Sequence, residues 1–517
     1  MGARIIDLRL STFYDKSELR DKAFRKAHVR SGELFIEKQS LDARDKNAIH
    51  WKVRATVISP EINNDFEREL PEKLIIENKK RDKHIAVVGS GPAGFFAAYR
   101  LALSGFKVTL IEQGKEVEIR KDDIDNFEKG GELNERSNYS FGEGGAGTFS
   151  DGKLTSRSKH IGQERGFIMD SYIESGAPEE IAYLSKPHLG SDNLKKIVKK
   201  LREKFIAAGG KMLFDIQMTG LHLDNDSLDD KKVNAVETDK GKIDVDYLIV
   251  APGHSSYMTY KMLISSGVRF AIKSFAIGTR VEHPQALINS SQWDRESMRG
   301  LKAAEYKLTF KGENLLPSYS FCMCPGGKVV PSTPTKGSNI VNGMSDYSRA
   351  SGTANSGIVV GINLNDMMRR ELDPIEALDW LDTLERKFYD AAGGYAAPAV
   401  KIKDFLNGRT TKKLPESSFP LGLVSGDFRA LLPKVISKSL ALGLNNFSSK
   451  IHGYDQGLML GLESKTSSPI RAERDKAGKC DGFANLYICG EGSGYAGGIV
   501  SSGADGLKAA GDILSKE

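Results

Sequence analysis

Six residues, Gly89–Ser–Gly91–Pro–Ala–Gly94, constrain this chain more than any others. The apolar run His84–Val88 leads into them and the helix-like run Phe95–Ser104 follows. A second strand-like run, Lys107–Ile111, then ends at Glu112. The order is strand, glycine turn, helix, strand, acid. One glycine permits the tight turn, one lets the backbone approach a pyrophosphate, and one lets the helix pack on the strand. Free N–H groups at the helix start face the anion, and the acid takes a ribose hydroxyl pair. The spacing predicts a dinucleotide site on an α/β parallel sheet, held by Gly89, Gly91, Pro92, Ala93, Gly94, Glu112 and Gln113.

At 517 residues the chain has room for two or three domains, each with its own core. A net charge of +6, from 74 basic and 68 acidic residues, exerts little pull on nucleic acid. Four cysteines (322, 324, 480 and 489) are too sparse for a secreted disulfide scaffold and suit a reducing cytoplasm. No apolar run approaches the ~20 residues of a membrane span. The N-terminus carries charges throughout, unlike a signal peptide. Met1–Gly2 begins like a myristoylation site, but Ile6 stands where Ser or Thr is needed.

Residues 1–80 read as a βαββ module: strand Ile5–Leu10, helix Lys16–His28, then strands Glu33–Lys38 and Ala48–Ser59. Such a module is an interaction domain or a lid on its neighbour. After the charged linker Glu77–Lys83, the nucleotide domain opens at 84 and is not finished. A glycine-rich stretch, 128–160, is of the kind compact domains keep for function. Ser191 is placed to cap a helix with Leu194, Ile197, Val198, Leu201 and Phe205 on one face. Strands follow at Met212–Phe214, Val233–Glu237 and Tyr247–Val250. Residues 268–460 read as an inserted α+β substrate domain, with strands Phe275–Glu282, Tyr306–Phe310 and Ile358–Ile362. Asp373–Pro374 opens a helix there, with Glu376 completing a capping box. Leu486–Cys489 then feeds Gly490–Glu491–Gly492, Gly497–Gly498 and a small-residue helix, Ile499–Leu514. The nucleotide domain is therefore expected to be split, 84–267 plus 461–517.

That split arrangement resembles the FAD-binding oxidoreductases with a glutathione-reductase-type fold. In that group a late strand ends in an acid that bonds the flavin ribityl chain, and the next helix starts against the isoalloxazine. Gly490–Glu491 and Gly497–Gly498–Ile499 match those positions. Asp246–Tyr–Leu–Ile–Val–Ala251–Pro–Gly253 is similar to the second FAD signature. A helix N-terminus beside the reduced flavin stabilises its negative charge by roughly 0.3–2 kcal/mol.

A longer string narrows the resemblance. Ser140–Phe–Gly–Glu–Gly–Gly–Ala–Gly–Thr–Phe–Ser–Asp–Gly–Lys–Leu154 resembles the signature of a family of long bacterial FAD-dependent dehydrogenases whose physiological reaction is largely unassigned. Ser40–Arg44, Gly278–Pro284, Phe321–Gly327, Asn342–Ser345 and Glu463–Pro469 match the same pattern, with Lys465 where Arg is expected. At a phosphate or carboxylate, that exchange turns a bidentate contact into a point charge. The resemblance implies FAD and redox chemistry. By analogy with that fold, Arg120 neutralises a phosphate, and Gly142–Thr148, with Gly144, Gly145 and Gly147, lies against the isoalloxazine. No apolar strand leads into Gly142–Glu–Gly144–Gly–Ala–Gly147, so NAD(P)H, if it is the electron donor, has no dedicated second domain.

The inserted domain is expected to roof the flavin. Its candidates are Arg280, Glu282 and His283; a strand puts the first two on one face and His283 on the other. The competing reading is an ion pair within the sheet and a surface histidine. Cys322 and Cys324 share a strand face and are either buried thiols or thiols facing the flavin; one intervening residue makes a strained disulfide ring. No Cys/His cluster supports a metal, Cys480 and Cys489 read as structural, and His188 starts a helix near the flavin edge. The expected protein is a cytoplasmic FAD-dependent dehydrogenase or reductase acting on a small organic substrate, with a flavin monooxygenase as the enzymatic alternative. An RNA-associated or non-catalytic FAD-binding protein, using the N-terminal module with Arg20, Lys22, Arg25, Lys26 and Arg30, is the rival of another class; that module lacks the interleaved aromatics of single-strand binders.

Overall fold

Asp15 accepts a hydrogen bond from the Glu18 N–H and starts the first helix. The elements around it are β1 (Gly2–Leu10), α1 (Lys16–Ala27), β2 (Glu33–Asp42) and β3 (His50–Ser59). β3 lies between the other two strands in an antiparallel sheet. Leu19, Ala23 and Phe24 of α1 share a core with Val53, Ala55 and Val57 of β3. The computed structural model describes residues 1–517 apart from 67, 69–71, 157, 225–229 and 314.

The next elements are β4 (His84–Val88), α2 (Pro92–Leu103), β5 (Lys107–Ile111), α3 (Val117–Glu128), α4 (Gly190–Ala207), β6 (Lys211–Leu213) and β7 (Tyr247–Val250). The roof contributes β8 (Phe275–Pro284), β9 (Ser318–Cys324), β10 (Thr353–Ile362), α5 (Pro374–Ala392) and β11 (Leu458–Glu463). The chain then returns with β12 (Leu486–Ile488) and α6 (Ile499–Lys516). The parallel sheet runs β12–β7–β4–β5–β6. Its strands are continuous apolar runs because both faces are covered. Helix α6 lies against α2, and a Cβ on Gly506 would collide with the Ala93 carbonyl oxygen. This close approach brings the start of α6 to the glycine turn.

The roof is a seven-stranded sheet centred on β9–β10–β8–β11, with antiparallel pairing between these neighbours. Helix α5 carries the expected capping box between Asp373 and Glu376. Its Leu378, Leu381, Leu384 and Phe388 join the core beneath the sheet. Two sequence expectations shift. Ser191 is inside the first turn of α4 rather than at its cap, and its Oγ donates to Asp346 Oδ1 at 3.0 Å. The strand expected over Tyr306–Phe310 pairs only at Thr309 and Phe310, because the Tyr306 hydroxyl turns inward to Tyr454 Oη at 3.3 Å. Among the described residues, no helix is long and apolar enough to cross a membrane.

Gly506→Ala is expected to lower unfolding stability by about 1–3 kcal/mol, because the helix interface has no room for a methyl group. Urea denaturation measures it, and an unchanged midpoint contradicts the close contact.

Candidate active site

The cleft begins where β4 ends. Gly89 has φ 93° and sits against Ala251, just beyond β7, too close for any side chain. Gly91 is the N-cap of α2 and makes no side-chain cap bond, so first-turn N–H groups remain for an anion. A Cβ on Gly91 would lie 3.7 Å from Gly145 Cα, which marks a narrow lane between two backbones. Gly94 does not line the cleft; a Cβ there would strike the Gly89 carbonyl, so its part is packing.

Glu112 closes β5 and is 5% exposed. Its Oε2 accepts from the Ser90 N–H at 2.9 Å and the Ser90 hydroxyl at 2.7 Å, and Oε1 accepts from the Gly114 N–H at 2.9 Å. A carboxylate has about four acceptor positions, so capacity remains for a ribose hydroxyl. Gln113, Pro92 and Ala93 stand in the same wall.

The glycine-rich loop forms the facing wall. Arg120 is fully buried and donates to the carbonyls of Asn138 (2.8 Å), Tyr139 (3.1 Å), Gly142 (3.2 Å), Glu143 (2.8 Å) and Gly145 (2.9 Å). The phosphate role expected of Arg120 is therefore corrected: its donors are spent on backbone carbonyls, and it shapes the loop instead. Gly142, Gly145, Ala146 and Gly147 line the cleft. Gly144 and Thr148 do not; Thr148 Oγ1 donates to Glu143 O at 3.3 Å, which fastens the turn from behind.

The far end comes from β7 and β12. Ala251, Gly253, Gly490, Glu491, Gly498 and Ile499 are all in the wall. The Gly490 N–H donates to Asp505 Oδ2 at 2.8 Å, and Arg474 pairs with the same carboxylate at 2.9 Å. Gly498 caps α6 without a side-chain bond, leaving a second helix N-terminus open. Gly497 lies just outside the wall, its N–H on Ser501 Oγ at 3.1 Å.

Phe321, Cys322, Ser332, Asn342 and Lys465 of the roof close the cleft, with Asp151 and Lys153 beside them. Lys465 spends its charge internally, 2.8 Å from Glu385 and bonded to the Tyr257 hydroxyl. Arg280 does not enter the cleft. It is fully buried and donates to Glu463 Oε2 (2.8 Å), Asn355 Oδ1 (2.6 Å) and Asn342 Oδ1 (2.8 Å). Its catalytic assignment is corrected to a positioning one, because through Asn342 it orients a wall residue. The sheet ion pair is formed with Glu463, while Glu282 bonds the Ser418 N–H at 3.1 Å. His283 is also corrected. It is buried rather than on the surface, with Nε2 on Tyr454 O at 2.8 Å and its ring 4.4 Å from the Tyr454 ring. Cys324 is fully buried behind the wall, and His188 stacks on Tyr347 away from it.

Sequence reasoning passed over His254. It lines the cleft with 10% of its side chain exposed, its Nδ1 lies 3.6 Å from Glu491 Oε1, and its buried Nε2 has no hydrogen-bond partner among the described residues. The signal was its place just beyond β7, since ligands of parallel sheets bind past the carboxyl ends of the strands.

The wall fits a flavin dinucleotide. It offers a helix start free of side-chain caps at each end, a carboxylate with spare acceptor capacity and a lane lined by the side-chain-free backbone of Gly91 and Gly145.

Comparison with known proteins agrees. Residues 83–276 match the family model described as pyridine nucleotide-disulphide oxidoreductase, and residues 274–466 match that of the FAD-dependent protein, C-terminal domain-like. An uncharacterized protein of Clostridium beijerinckii is 36% identical over 537 residues, spanning 100% of this chain and 99% of its own. The chain belongs to that protein's family, and it is an FAD-dependent oxidoreductase. Among solved structures, L-proline dehydrogenase from P. horikoshii has a TM-score of 0.36 at 13% identity, over 85% of this chain and 95% of its own. Glycine oxidase from Geobacillus kaustophilus has 0.37 at 12%, over 84% and 95%. Both are too distant to carry an argument.

Burial pushes His283 down to about 4, against 6.5 for an ordinary imidazole. Below pH 6.5 the unfolded chain binds a proton that the folded chain refuses until about pH 4. Stability therefore falls as pH drops through that window. His283→Gln is expected to remove about 1.4 kcal/mol per pH unit of that slope, read from urea denaturation at pH 5 and 6; an unchanged slope contradicts it.

Proposed function

We propose that this enzyme is a dehydrogenase or reductase that passes two electrons between FAD and a small organic substrate held under the roof. When bound, FAD supplies the two-electron chemistry. The observation that carries the reading is the continuity of one cleft, from the Gly91–Gly145 lane and Glu112 to the roof residues Cys322, Asn342 and Lys465. Gly89, Gly91, Pro92, Ala93, Glu112 and Gln113 hold the ADP half. Gly490, Glu491, Gly498 and Ile499 hold the flavin half, with Ala251 and Gly253 at the crossing. Asn342 orients the substrate. His254, whose Nε2 is free of other partners among the described residues, is the group that holds a proton in the wall.

NAD(P)H is the donor class tested first. The second glycine-spaced string, Gly142–Gly147, forms a loop and a short 3₁₀ turn in the wall of the same cleft and no nucleotide domain of its own. The four cysteines are free thiols, in keeping with a cytoplasmic setting.

Gly91→Leu places a side chain in the lane without backbone strain. It is expected to reduce FAD retained on purification about tenfold, a change of about 1.4 kcal/mol in binding, with an unchanged unfolding midpoint. Full retention of the 450 nm flavin band would place FAD elsewhere. Anaerobic mixing of the FAD-loaded wild type with NADH, NADPH and a metabolite panel identifies the donor by bleaching of that band. Rapid reoxidation coupled to hydroxylation supports a monooxygenase instead.

A further inference from the structure

We propose that Cys322 and Cys324 form a redox couple that exchanges a second electron pair with the bound FAD. The proposal rests on the FAD reading above. Both residues lie beyond residues 83–276, so the disulphide-oxidoreductase description of that segment does not extend to them.

The first observation is backbone geometry. β9 pairs with β10 at Phe321↔Gly357 and again at Cys324↔Asn355, so β9 spends one extra residue between these pairs. Cys322 takes φ 42°, left-handed for a residue that has a Cβ. Such strain costs of order 1–3 kcal/mol and gathers at functional positions, and bulges re-aim side chains beside active sites. The regular strand alternation is lost. Cys322 is half-buried in the cleft wall, while Cys324 is sealed behind it. The arrangement is one sulfur within reach of the cofactor and a second one protected from it.

The second observation is the charge around the pair. Cys324 Sγ donates to Cys322 O at 3.3 Å and accepts from Arg280 Nη1 at 3.9 Å, which holds the second thiol against the first residue. Arg280 also donates to Cys322 O at 3.3 Å. Lys153 buries its Nζ beside the cleft, 2.7 Å from Asp151 Oδ2, yet makes no aligned hydrogen bond among the described residues. The neighbouring Cys324 thiol, and then Lys153 and Arg280 working against burial, draw the Cys322 thiol well below its ordinary range. The neighbouring Cys322, reinforced by burial, raises Cys324. Cleft access at Cys322, burial of Cys324 and the cations around them favour a thiolate at the first and a thiol at the second. Two inert core thiols require neither a buried ammonium nor a left-handed cysteine.

The step balances. Cys322 enters as the thiolate and Cys324 as the thiol. The Cys324 S–H bond breaks and an S–S bond forms between the two residues. Two electrons and the released proton pass to oxidised FAD, and the reverse step returns them.

The test uses the holoenzyme, oxidised with diamide, freed of reagent and titrated anaerobically with dithionite. Wild type is expected to take up about four electrons per FAD, two for the flavin and two for the couple, whereas Cys322→Ser and Cys324→Ser take up about two. Differential alkylation of wild type with mass spectrometry is a second readout, independent of turnover. It should show both cysteines blocked after diamide and both alkylated after dithionite, and it decides the matter if a variant fails to fold. Uptake of two electrons by flavin-replete wild type overturns the couple and leaves the FAD reading intact. So does alkylation of both cysteines after diamide. Protein that takes up no FAD overturns the FAD reading, and the couple with it.

Discussion

The pairing of β12 with β7 is the contact on which the cofactor site depends. Leu486, Tyr487 and Ile488 lie beside Leu248, Ile249 and Val250, and β7 in turn pairs with β4. Three short parallel strands thereby place Ala251, Gly490 and the Gly89 turn at one end of one sheet. Strands this short hold their register with outside help. The Leu248 N–H donates to Asn485 O at 3.0 Å, and Asn485 Nδ2 donates to the carbonyls of Val233 and Asp246 at 2.7 Å each. A buried amide with its donors satisfied specifies one pairing over its neighbours. The contact of α6 with α2 at Gly506 then sets where the second helix begins.

The facing wall is built on a different principle. It has little regular structure between Glu128 and Gly162, so its backbone carbonyls need partners from elsewhere. Arg120 provides them from the middle of α3. A planar guanidinium that meets five carbonyls fixes the loop while pairing with no carboxylate among the described residues. The Phe149 ring centroid lies 4.7 Å from its charged carbon and packs on that plane. The roof uses the same device in Arg280, which ties Glu463, Asn355 and Asn342 into one buried network. In both walls a buried cation orders residues that line the cleft and does not line it itself.

Signals confined to a short window were legible. The Gly89–Gly94 turn, Glu112 and the Gly490–Glu491 unit each follow an apolar strand run, and glycine is needed where backbones nearly touch. The capping box at Asp373 and Glu376 was legible for the same reason. Residues whose role depends on a distant partner were not. Arg280 looks catalytic beside Glu282 and His283, until Glu463, far along the chain, arrives on the neighbouring strand. Arg120 looks like a phosphate ligand until the loop folds back over it. The bulge at Cys322 arises from pairing with β10, so no local pattern announces it. Asp505 and Arg474 organise Gly490 from positions with no motif at all.

The separation of the two halves of the cleft bears on how the enzyme is made. Gly89 and Gly490 are wall neighbours in space but stand far apart along the chain. At ribosomal speeds of about 5–20 residues per second, the roughly 400 intervening residues take about 20–80 seconds to appear. Throughout that time the glycine turn is exposed without β12 or α6 to complete it. Cofactor capture is therefore a late event, and a nascent chain of this family has to keep β7, a strand apolar on both faces, from finding another partner while it waits.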